Sequence, residues 1–166
     1  MKASLRIARE YEKNIVDNLL QFYLDEISVF VAPKKSAEGR LIYPYLDHSW
    51  RNPQRYPFLT SNDKQIAGFT LVRREIDPSN GMKVAEISVF FILSTLRNHG
   101  IGGLTAVQLW DMFPGKWRLE VHKANQGALL FWKDTISKYT DHRFKQGNNA
   151  ESINIEFLLQ NTIRQS

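Results

Sequence analysis

A glycine-containing segment in the second half of the chain has the residue types that an anion-binding loop needs. It reads Arg97-Asn98-His99-Gly100-Ile101-Gly102-Gly103 and lies between an apolar run and a stretch of helical periodicity. Glycines let backbone N–H groups approach an anion closely, and the positive end of the following helix adds to the attraction. Tight packing of a strand against a helix produces the same pattern, so the segment by itself leaves both interpretations open.

Composition narrows the chemistry that this segment can serve. The 166 residues include no cysteine, which excludes disulfides, thiolate zinc sites and cysteine nucleophiles. The net charge of +5 favours an anionic partner, whether a phosphate-rich cofactor, a membrane surface or a nucleic acid. The sequence has no long run of Lys and Arg and no nucleic-acid-reader motif, so nucleic-acid binding is unfavoured. It also has no membrane-length apolar segment and no signal-peptide pattern, and we expect a cytoplasmic protein without membrane partners.

Hydrophobic periodicity predicts the elements that position the glycine segment. The predicted elements are a strand over Lys2–Ala8, a helix over Glu10–Ile27, strands over Tyr56–Ser61 and Gln65–Arg74 joined by the turn Asn62-Asp63-Lys64, a strand over Lys83–Leu93, a helix from Ile101 to Phe113, a strand over Trp117–His122, a helix capped by Asn125, and short strands over His142–Lys145 and Ile153–Leu159. The stretch after the first helix is rich in proline and aromatic residues and shows no periodicity. Hairpins followed by alternating helices and strands predict an α/β or α+β fold around one mixed sheet, in a single domain over residues 1–166.

The order of these elements resembles the GNAT acyltransferase superfamily. The resemblance is carried by the strand Phe90-Phe91-Ile92-Leu93, the Arg-x-x-Gly-x-Gly pattern after it, and the helix start Asn125-x-x-Ala128. A bacterial subgroup of largely unassigned acetyltransferases is similar in four further blocks: Leu20-Gln21-Phe22-Tyr23-Leu24, Ile66-Ala67-Gly68-Phe69, Phe113-Pro114-Gly115-Lys116-Trp117, and Asn125-Gln126-Gly127-Ala128 leading to Phe131-Trp132. The resemblance implies a mostly antiparallel sheet of about six to seven strands flanked by helices.

The resemblance also implies a site for acetyl-coenzyme A as cosubstrate, without a metal. The backbone at the end of the apolar strand would pair with the pantetheine arm, and the glycine segment would wrap the pyrophosphate. The expected cofactor contacts are Phe91, Ile92, Leu93, Arg97, Asn98, His99, Gly100, Ile101, Gly102, Gly103, Asn125 and Trp132. His99 would contribute its backbone alone.

Candidates for proton transfer follow from the same resemblance. Glu86 lies on the cofactor strand, where members of the superfamily often use a carboxylate as general base. Many members place a tyrosine acid at the position of Trp132, and an indole N–H cannot deliver a proton near neutral pH. Either the thiolate leaves without a dedicated acid, or Tyr139 takes that role. Glu120 and His122 share a face of the next strand and are further candidates, although a solvated glutamate or a structural histidine looks the same in sequence.

The acceptor is less defined by the sequence. Asp25 and Glu26, at the end of the first helix, would edge its site. A set of aromatic residues either covers the acceptor or anchors the irregular stretch to the core: Tyr43, Tyr45, Trp50 and Tyr56.

The expected function is acetyl-CoA-dependent N-acetylation of a primary amine, on a small molecule or a peptide, by direct transfer in a ternary complex. The alternatives are a catalytically weak or inactive coenzyme A-binding module and, less favoured, a basic nucleic-acid-binding protein. A homodimer formed through an exposed edge strand is compatible with the expected fold.

Overall fold

A computed structural model describes residues 2–159, which form one seven-stranded sheet with helices against both faces. The strands are β1 (Ser4–Ile7), β2 (Arg55–Asn62), β3 (Gln65–Ile76), β4 (Lys83–Ile92), β5 (Gly115–His122), β6 (Lys145–Asn148) and β7 (Ser152–Leu159). The helices are α1 (Lys13–Ile27), α2 (His48–Arg51), α3 (Ile101–Met112) and α4 (Gln126–Thr140), with short 3-10 turns at Glu10–Glu12 and Ser94–Leu96. The strand order is β1-β2-β3-β4-β5-β7-β6, and β4 pairs with β5 in parallel while the other neighbours are antiparallel. The expected mixed, mostly antiparallel sheet is confirmed.

Two hydrophobic clusters, one on each face of the sheet, hold these layers together. Helix α1 packs its apolar stripe on the first half of the sheet, in a cluster that contains Val16, Leu19, Leu20, Leu24, Leu59, Phe69, Leu71, Val89 and Phe91. Helices α3 and α4 pack on the opposite face, in a cluster that contains Val72, Ile87, Leu109, Trp110, Trp117, Leu119, Trp132, Ile136 and Phe157. Alternation along each strand sends its side chains to both clusters, which explains why the central strands read as nearly continuous apolar runs.

Local backbone chemistry explains which predicted boundaries are right. The turn between β2 and β3 has Asp63 and Lys64 at φ 48° and 70°, as a tight two-residue hairpin turn requires, and the predicted hairpin is confirmed. The strand predicted over His142–Lys145 is wrong at its start. Asp141 and His142 have φ of 53° and 61°, a left-handed conformation that ends α4, so that the strand begins only at Lys145.

The irregular stretch after α1 is fastened to the rest of the fold by side chains. The amide of Gln21 donates to the carbonyl of Leu41 at 2.8 Å and accepts from its N–H at 2.9 Å. The indole N–H of Trp50, at α2, donates to the carbonyl of Ala8 at 3.0 Å. These contacts hold a segment without periodicity in a fixed course beside the sheet. No helix within residues 2–159 is long and apolar enough to span a membrane.

The junction between β1 and α1 depends on a largely buried carboxylate, Glu12. It accepts from both Nη atoms of Arg6, at 2.7 and 2.6 Å, and from the backbone N–H of Arg9 at 3.1 Å. These donors, Arg6 first, lower the pKa of Glu12 from 4.5 to about 2. A lowered pKa means that the ionised carboxylate stabilises the fold above its unfolded-state pKa, and that this contribution disappears as the pH falls toward 2.

We therefore expect Glu12→Gln to lower the free energy of unfolding at neutral pH and to flatten its decline between about pH 4.5 and 2, as linkage requires. Urea unfolding at a series of pH values measures both effects. The exposed Glu10, in the same 3-10 turn, provides the control Glu10→Gln, which should keep the wild-type pH profile. An unchanged profile in Glu12→Gln would show that the assigned contacts do not set this titration.

Candidate active site

Strands β4 and β5 pair over a short stretch and then separate. Their register runs from Val84 opposite Lys116 to Ile87 opposite Leu119. The next residue of β4, Ser88, forms a bulge, because Leu71 and Val72 of β3 lie opposite residues 89 and 87 of β4. A bulge bends and twists its strand, and β4 therefore leaves β5, which continues beside β7. The separation opens a cleft of about 1500 Å³ across the middle of the sheet.

The glycine segment borders one end of this cleft. Asn98 and Gly100 have φ of 63° and 80°, and the left-handed Gly100 directly precedes α3. The backbone N–H groups of residues 98–103 donate to no other described residue, as expected for a loop that runs into the first turn of a helix. Gly102 and Gly103 both line the cleft. The segment therefore presents unused donors and a helix N-terminus to the cleft, an arrangement that suits an anion.

The two glycines of the first turn of α3 have different reasons to lack a side chain. A Cβ at Gly102 would lie 3.2 Å from ring atoms of Phe131 on α4, so this glycine permits close packing of the helices. A Cβ at Gly103 would meet no atom within 4 Å. Gly103 therefore leaves open space beside the unused N–H groups.

Arg97 links three parts of the site. Its Nε donates to the carbonyl of Ile92 at 2.8 Å, and its two Nη atoms donate to both carboxylate oxygens of Glu26 at 2.7 and 2.9 Å. The guanidinium also lies 5.3 Å from the ring centroid of Phe91. Glu26, which was expected to edge the acceptor site, lines the cleft and holds the end of α1 against the glycine segment.

The opposite wall of the cleft comes from α4. Asn125 caps this helix, with its side-chain oxygen accepting from the N–H of Ala128 at 3.2 Å, and the predicted capping role is confirmed. Trp132 is buried, with ring centroids 4.8 Å from both Phe90 and Phe131. This packing makes Trp132 part of the cleft wall and of the core beneath it.

Glu86 lies in a ring of charged residues on the face of the sheet that α1 partly covers. Its Oε2 accepts from Arg73 Nη2 at 2.9 Å and from Arg118 Nε at 2.8 Å, while Oε1 has no donor among the described residues. Arg118 also donates to Glu75, and Glu75 lies 3.8 Å from Arg73. Arg73, Glu86 and Arg118 are direct neighbours across β3, β4 and β5. The ring fixes the position of Glu86 and leaves one of its oxygens for the cleft.

The arginines of this ring were missed by sequence reasoning. Arg118 is the one arginine of β5, whereas Arg73 is followed directly by Arg74 in β3, and nothing in the linear pattern states which residue of the next strand will lie opposite. Once the hairpin between β3 and β4 is placed in register, Arg73 falls opposite Glu86, which is the signal that an alignment of the predicted strands could have used.

The other candidates for proton transfer have partners in the protein. The hydroxyl of Tyr139 donates to Asp111 and ties α4 to the end of α3. His122 accepts at Nδ1 from the N–H of Ala124 at 3.1 Å, and its ring stacks on Phe30 at 5.7 Å. Glu120 accepts from Asn149 at 3.2 Å. All three candidates line the cleft, and their catalytic roles stay predictions.

We call the part of the cleft next to Glu86 the acceptor end; it is lined by Tyr43, Tyr45, Arg55, Arg73 and Glu86. Burial raises the pKa of Tyr43, which keeps its phenol protonated. The rings of Tyr43 and Tyr45 meet edge to face at 5.9 Å, and the guanidinium of Arg55 lies 5.5 Å from the Tyr45 centroid. The two tyrosines therefore form a cleft wall that carries hydroxyl groups.

Trp50 and Tyr56, the other two aromatic residues predicted either to cover the acceptor or to anchor the irregular stretch, pack against the rest of the fold. Trp50 is bonded to β1 as described above, and Tyr56 packs on Phe113 at 5.0 Å, on the α3 face. Anchoring therefore describes Trp50 and Tyr56, and a cover over the acceptor stays a prediction for Tyr43 and Tyr45. Nearby, the partly buried Tyr23 of α1 meets Phe91 edge to face at 6.4 Å, and desolvation raises its pKa to about 12.

The cleft brings most of the predicted site residues together. Those that line it are Glu86, Phe91, Ile92, Arg97, Asn98, Gly100, Gly102, Gly103, Asn125, Trp132 and Tyr139. Three others lie outside the lining: Ile101 is buried under the glycine segment, His99 is exposed, and Leu93 donates its N–H to the carbonyl of Ala67 at 2.8 Å. Within residues 2–159 no cluster of His, Asp or Glu side chains is arranged to hold a metal ion.

Comparison with known protein structures identifies the fold. No protein-family model and no curated protein matches the sequence. A GNAT-family acetyltransferase from Staphylococcus aureus matches with a TM-score of 0.65 at 14% identity, over 96% of this chain and 100% of that one. PaiA N-acetyltransferase from Thermoplasma acidophilum, in complex with coenzyme A, matches with 0.64 at 14% identity, over 95% and 99%. Arabidopsis thaliana Naa50, with a bisubstrate analogue, matches with 0.62 at 16% identity, over 94% and 98%. The chain has the GNAT fold.

Gly68 and Gly103 provide a matched test of this geometry. Gly68 lies opposite Ile92, and a Cβ there would be 2.0 Å from the carbonyl oxygen of Phe91. We expect Gly68→Ala to push β3 from β4 and to destabilise the fold by roughly 1–3 kcal/mol or more, as overpacking does. Gly103→Ala should instead stabilise it by up to roughly 1 kcal/mol, because alanine favours the helix and meets open space. Urea unfolding compares the two variants, and shifts of the same sign would contradict the assigned packing.

Proposed function

We propose that this chain, which has the fold of the GNAT acetyltransferases, transfers an acetyl group from acetyl-coenzyme A to a primary amine of a small molecule or a peptide. The observation that carries the proposal is the position of the unused N–H groups of residues 98–103, at the border of the cleft that the bulge at Ser88 opens. Two of the similar structures were solved with coenzyme A or a bisubstrate analogue, which supports the choice of cosubstrate.

The described residues fit the expected cosubstrate in two respects. The N–H groups of residues 98–103 and the space at Gly103 suit the pyrophosphate. Beyond Ile87, the side of β4 that faced β5 has no strand partner, so its backbone groups are available to the pantetheine arm. Leu93 uses its N–H toward Ala67 and its carbonyl toward the N–H of Leu96, and the carbonyl of Ile92 accepts from Arg97 Nε. We therefore propose that the pantetheine arm pairs with the remaining backbone groups of Phe91 and Ile92.

In the proposed reaction a neutral amine attacks the thioester carbonyl carbon within a ternary complex. The new C–N bond forms, the C–S bond breaks, the nitrogen loses a proton and the sulfur leaves as a thiolate. Glu86 Oε1 is the proposed acceptor of that proton, directly or through a water molecule. A backbone N–H near Ile92 is the proposed donor to the oxyanion. Because Tyr139 donates to Asp111 and position 132 is a tryptophan, we propose that the thiolate leaves without a dedicated side-chain acid.

A coenzyme A-binding module of low catalytic power is the second candidate. It is favoured by the pair of guanidinium groups that bind Glu86 Oε2, because they tie this carboxylate into the ring of charged residues. Trp132, which replaces the usual tyrosine acid of the resemblance, favours it as well. Binding of acetyl-coenzyme A supports both candidates, whereas turnover supports the first alone.

Cosubstrate binding is tested at Gly103. In Gly103→Asp the added carboxylate lies in the first turn of α3, where the helix dipole favours it, so the free protein should keep its stability. The same charge opposes a bound pyrophosphate, and acetyl-coenzyme A should no longer raise the melting temperature. For the wild type, ligand at about a hundred times its dissociation constant stabilises by roughly 2.7 kcal/mol.

Gly103→Asn is the matched control for that experiment, since asparagine has nearly the shape of aspartate without its charge. It should keep part of the thermal shift. If the wild type shows no shift, the acyltransferase proposal and the coenzyme A module both fail. Equal shifts in all three proteins would instead move the pyrophosphate away from the glycine segment.

Turnover is tested at Glu86. We expect Glu86→Gln to lower kcat/KM by roughly 10²–10⁴, the contribution of a general base, while leaving the acetyl-coenzyme A thermal shift in place. Glu75→Gln is the matched control, because Glu75 belongs to the same ring of charges but lies outside the lining of the cleft. Similar losses in both variants would assign Glu86 a structural role in the ring.

A further inference from the structure

Arg55, at the acceptor end of the cleft, has no carboxylate partner among the described residues. It lies at the start of β2, and its guanidinium rests against the ring of Tyr45 at 5.5 Å. Its Nε is buried without a hydrogen-bond acceptor. The other arginines that line the cleft are paired, Arg97 with Glu26 and Arg73 with Glu86. The charge of Arg55 is therefore uncompensated within residues 2–159.

The register of the sheet places a second arginine next to Arg55. It lies directly opposite Arg73 in the register of β2 and β3, and like charges at opposed positions destabilise a sheet. Arg73 also has a buried Nε without an acceptor, although its Nη2 donates to Glu86. Two arginines on neighbouring strands thus line the cleft together with Glu86, and the Nη groups of Arg55 donate to no described residue. An anionic oxygen placed between them would satisfy donors on both and relieve their repulsion.

The surroundings of Arg55 supply a further donor, and the carboxylates nearby are already paired with other arginines. The hydroxyl of Tyr43 lies close enough to Arg55, Arg73 and Glu86 to be influenced by the charge of each, and its phenol stays protonated. The carboxylates of Glu75 and Glu86 are held by Arg73 and Arg118 within the ring of charges. The acceptor end, as lined by the described residues, therefore has one carboxylate that can face an amine, that of Glu86. Within the part of the chain that the structure describes, it has no carboxylate that pairs with Arg55.

We infer that the acceptor carries a carboxylate next to its amine, as a free amino acid does, and that Arg55 binds this carboxylate while Glu86 faces the amine. This rests on the proposed function and names its substrate class. A guanidinium binds a carboxylate with paired hydrogen bonds, and Arg55 has no other acidic partner to release first. The Tyr43 hydroxyl can donate to the same group.

The experiment compares three acceptors that differ at one group: an amino acid, its carboxamide, and the amine that lacks the carboxylate. Acetylation by the wild type should favour the amino acid over the carboxamide by about tenfold or more in kcat/KM, the scale of a charge-assisted contact. Arg55→Gln should remove that preference, and Arg55→Lys should restore part of it. Arg74→Gln is the control, because Arg74 packs on Phe113 and lies outside the cleft lining, and it should keep the full preference.

Binding separates this inference from the proposed function. Amino acid and carboxamide are each added to the protein with and without coenzyme A, and the melting temperature is recorded. Stabilisation by the amino acid alone, lost in Arg55→Gln, supports the inference even if no acceptor is turned over. Equal use or equal binding of amino acid and carboxamide by the wild type, or a preference that survives in Arg55→Gln, overturns it. A protein that acetylates amines without that preference keeps its proposed function and loses this substrate class.

Discussion

The single inserted residue in β4 is the constraint on which the rest of the site depends. Before Ser88, β4 is held by β3 on one side and by β5 on the other; after it, β4 follows β3 and leaves β5. Unpaired backbone in a sheet interior is expensive unless a ligand or solvent reaches it. The fold therefore leaves an unpaired stretch of β4 beside the cleft, and the elements that follow β4 are arranged around it, with the glycine segment at one end and α4 along one wall.

The ring of Arg73, Glu86, Arg118 and Glu75 crosses the strands just where β4 and β5 are still joined. Its members are partly exposed, so its net contribution to stability is small, as is usual for such pairs. Its effect is geometric. Three strands are tied side chain to side chain at the point where the separation begins, and Glu86 is held in one position there. A flexible glutamate at that place would be far less well defined relative to the end of the cleft.

Much of the fold was predictable because its signals are local. The glycine segment, the cap at Asn125 and the turn between β2 and β3 each follow from neighbouring residues. The motifs of the GNAT resemblance predicted the order of these features correctly. What could not be predicted depends on pairing between distant residues. The course of the stretch after α1 is set by Gln21 and Leu41, and the surroundings of Glu86 are set by strand register. The misplaced start of β6 has another cause, since an Asp141-His142 pair in left-handed conformation carries no glycine to mark it.

Arg97 joins the glycine segment to the end of α1 through one guanidinium group. It holds the carboxylate of Glu26, and through it the end of α1, from which the chain runs on to Tyr43 and Tyr45. Any anion that binds Arg97 must compete with Glu26, and by reciprocity a change in the hold on α1 alters the affinity for that anion by the same factor. This coupling has the same size whichever of the two is changed first, because it is a difference in free energy between states.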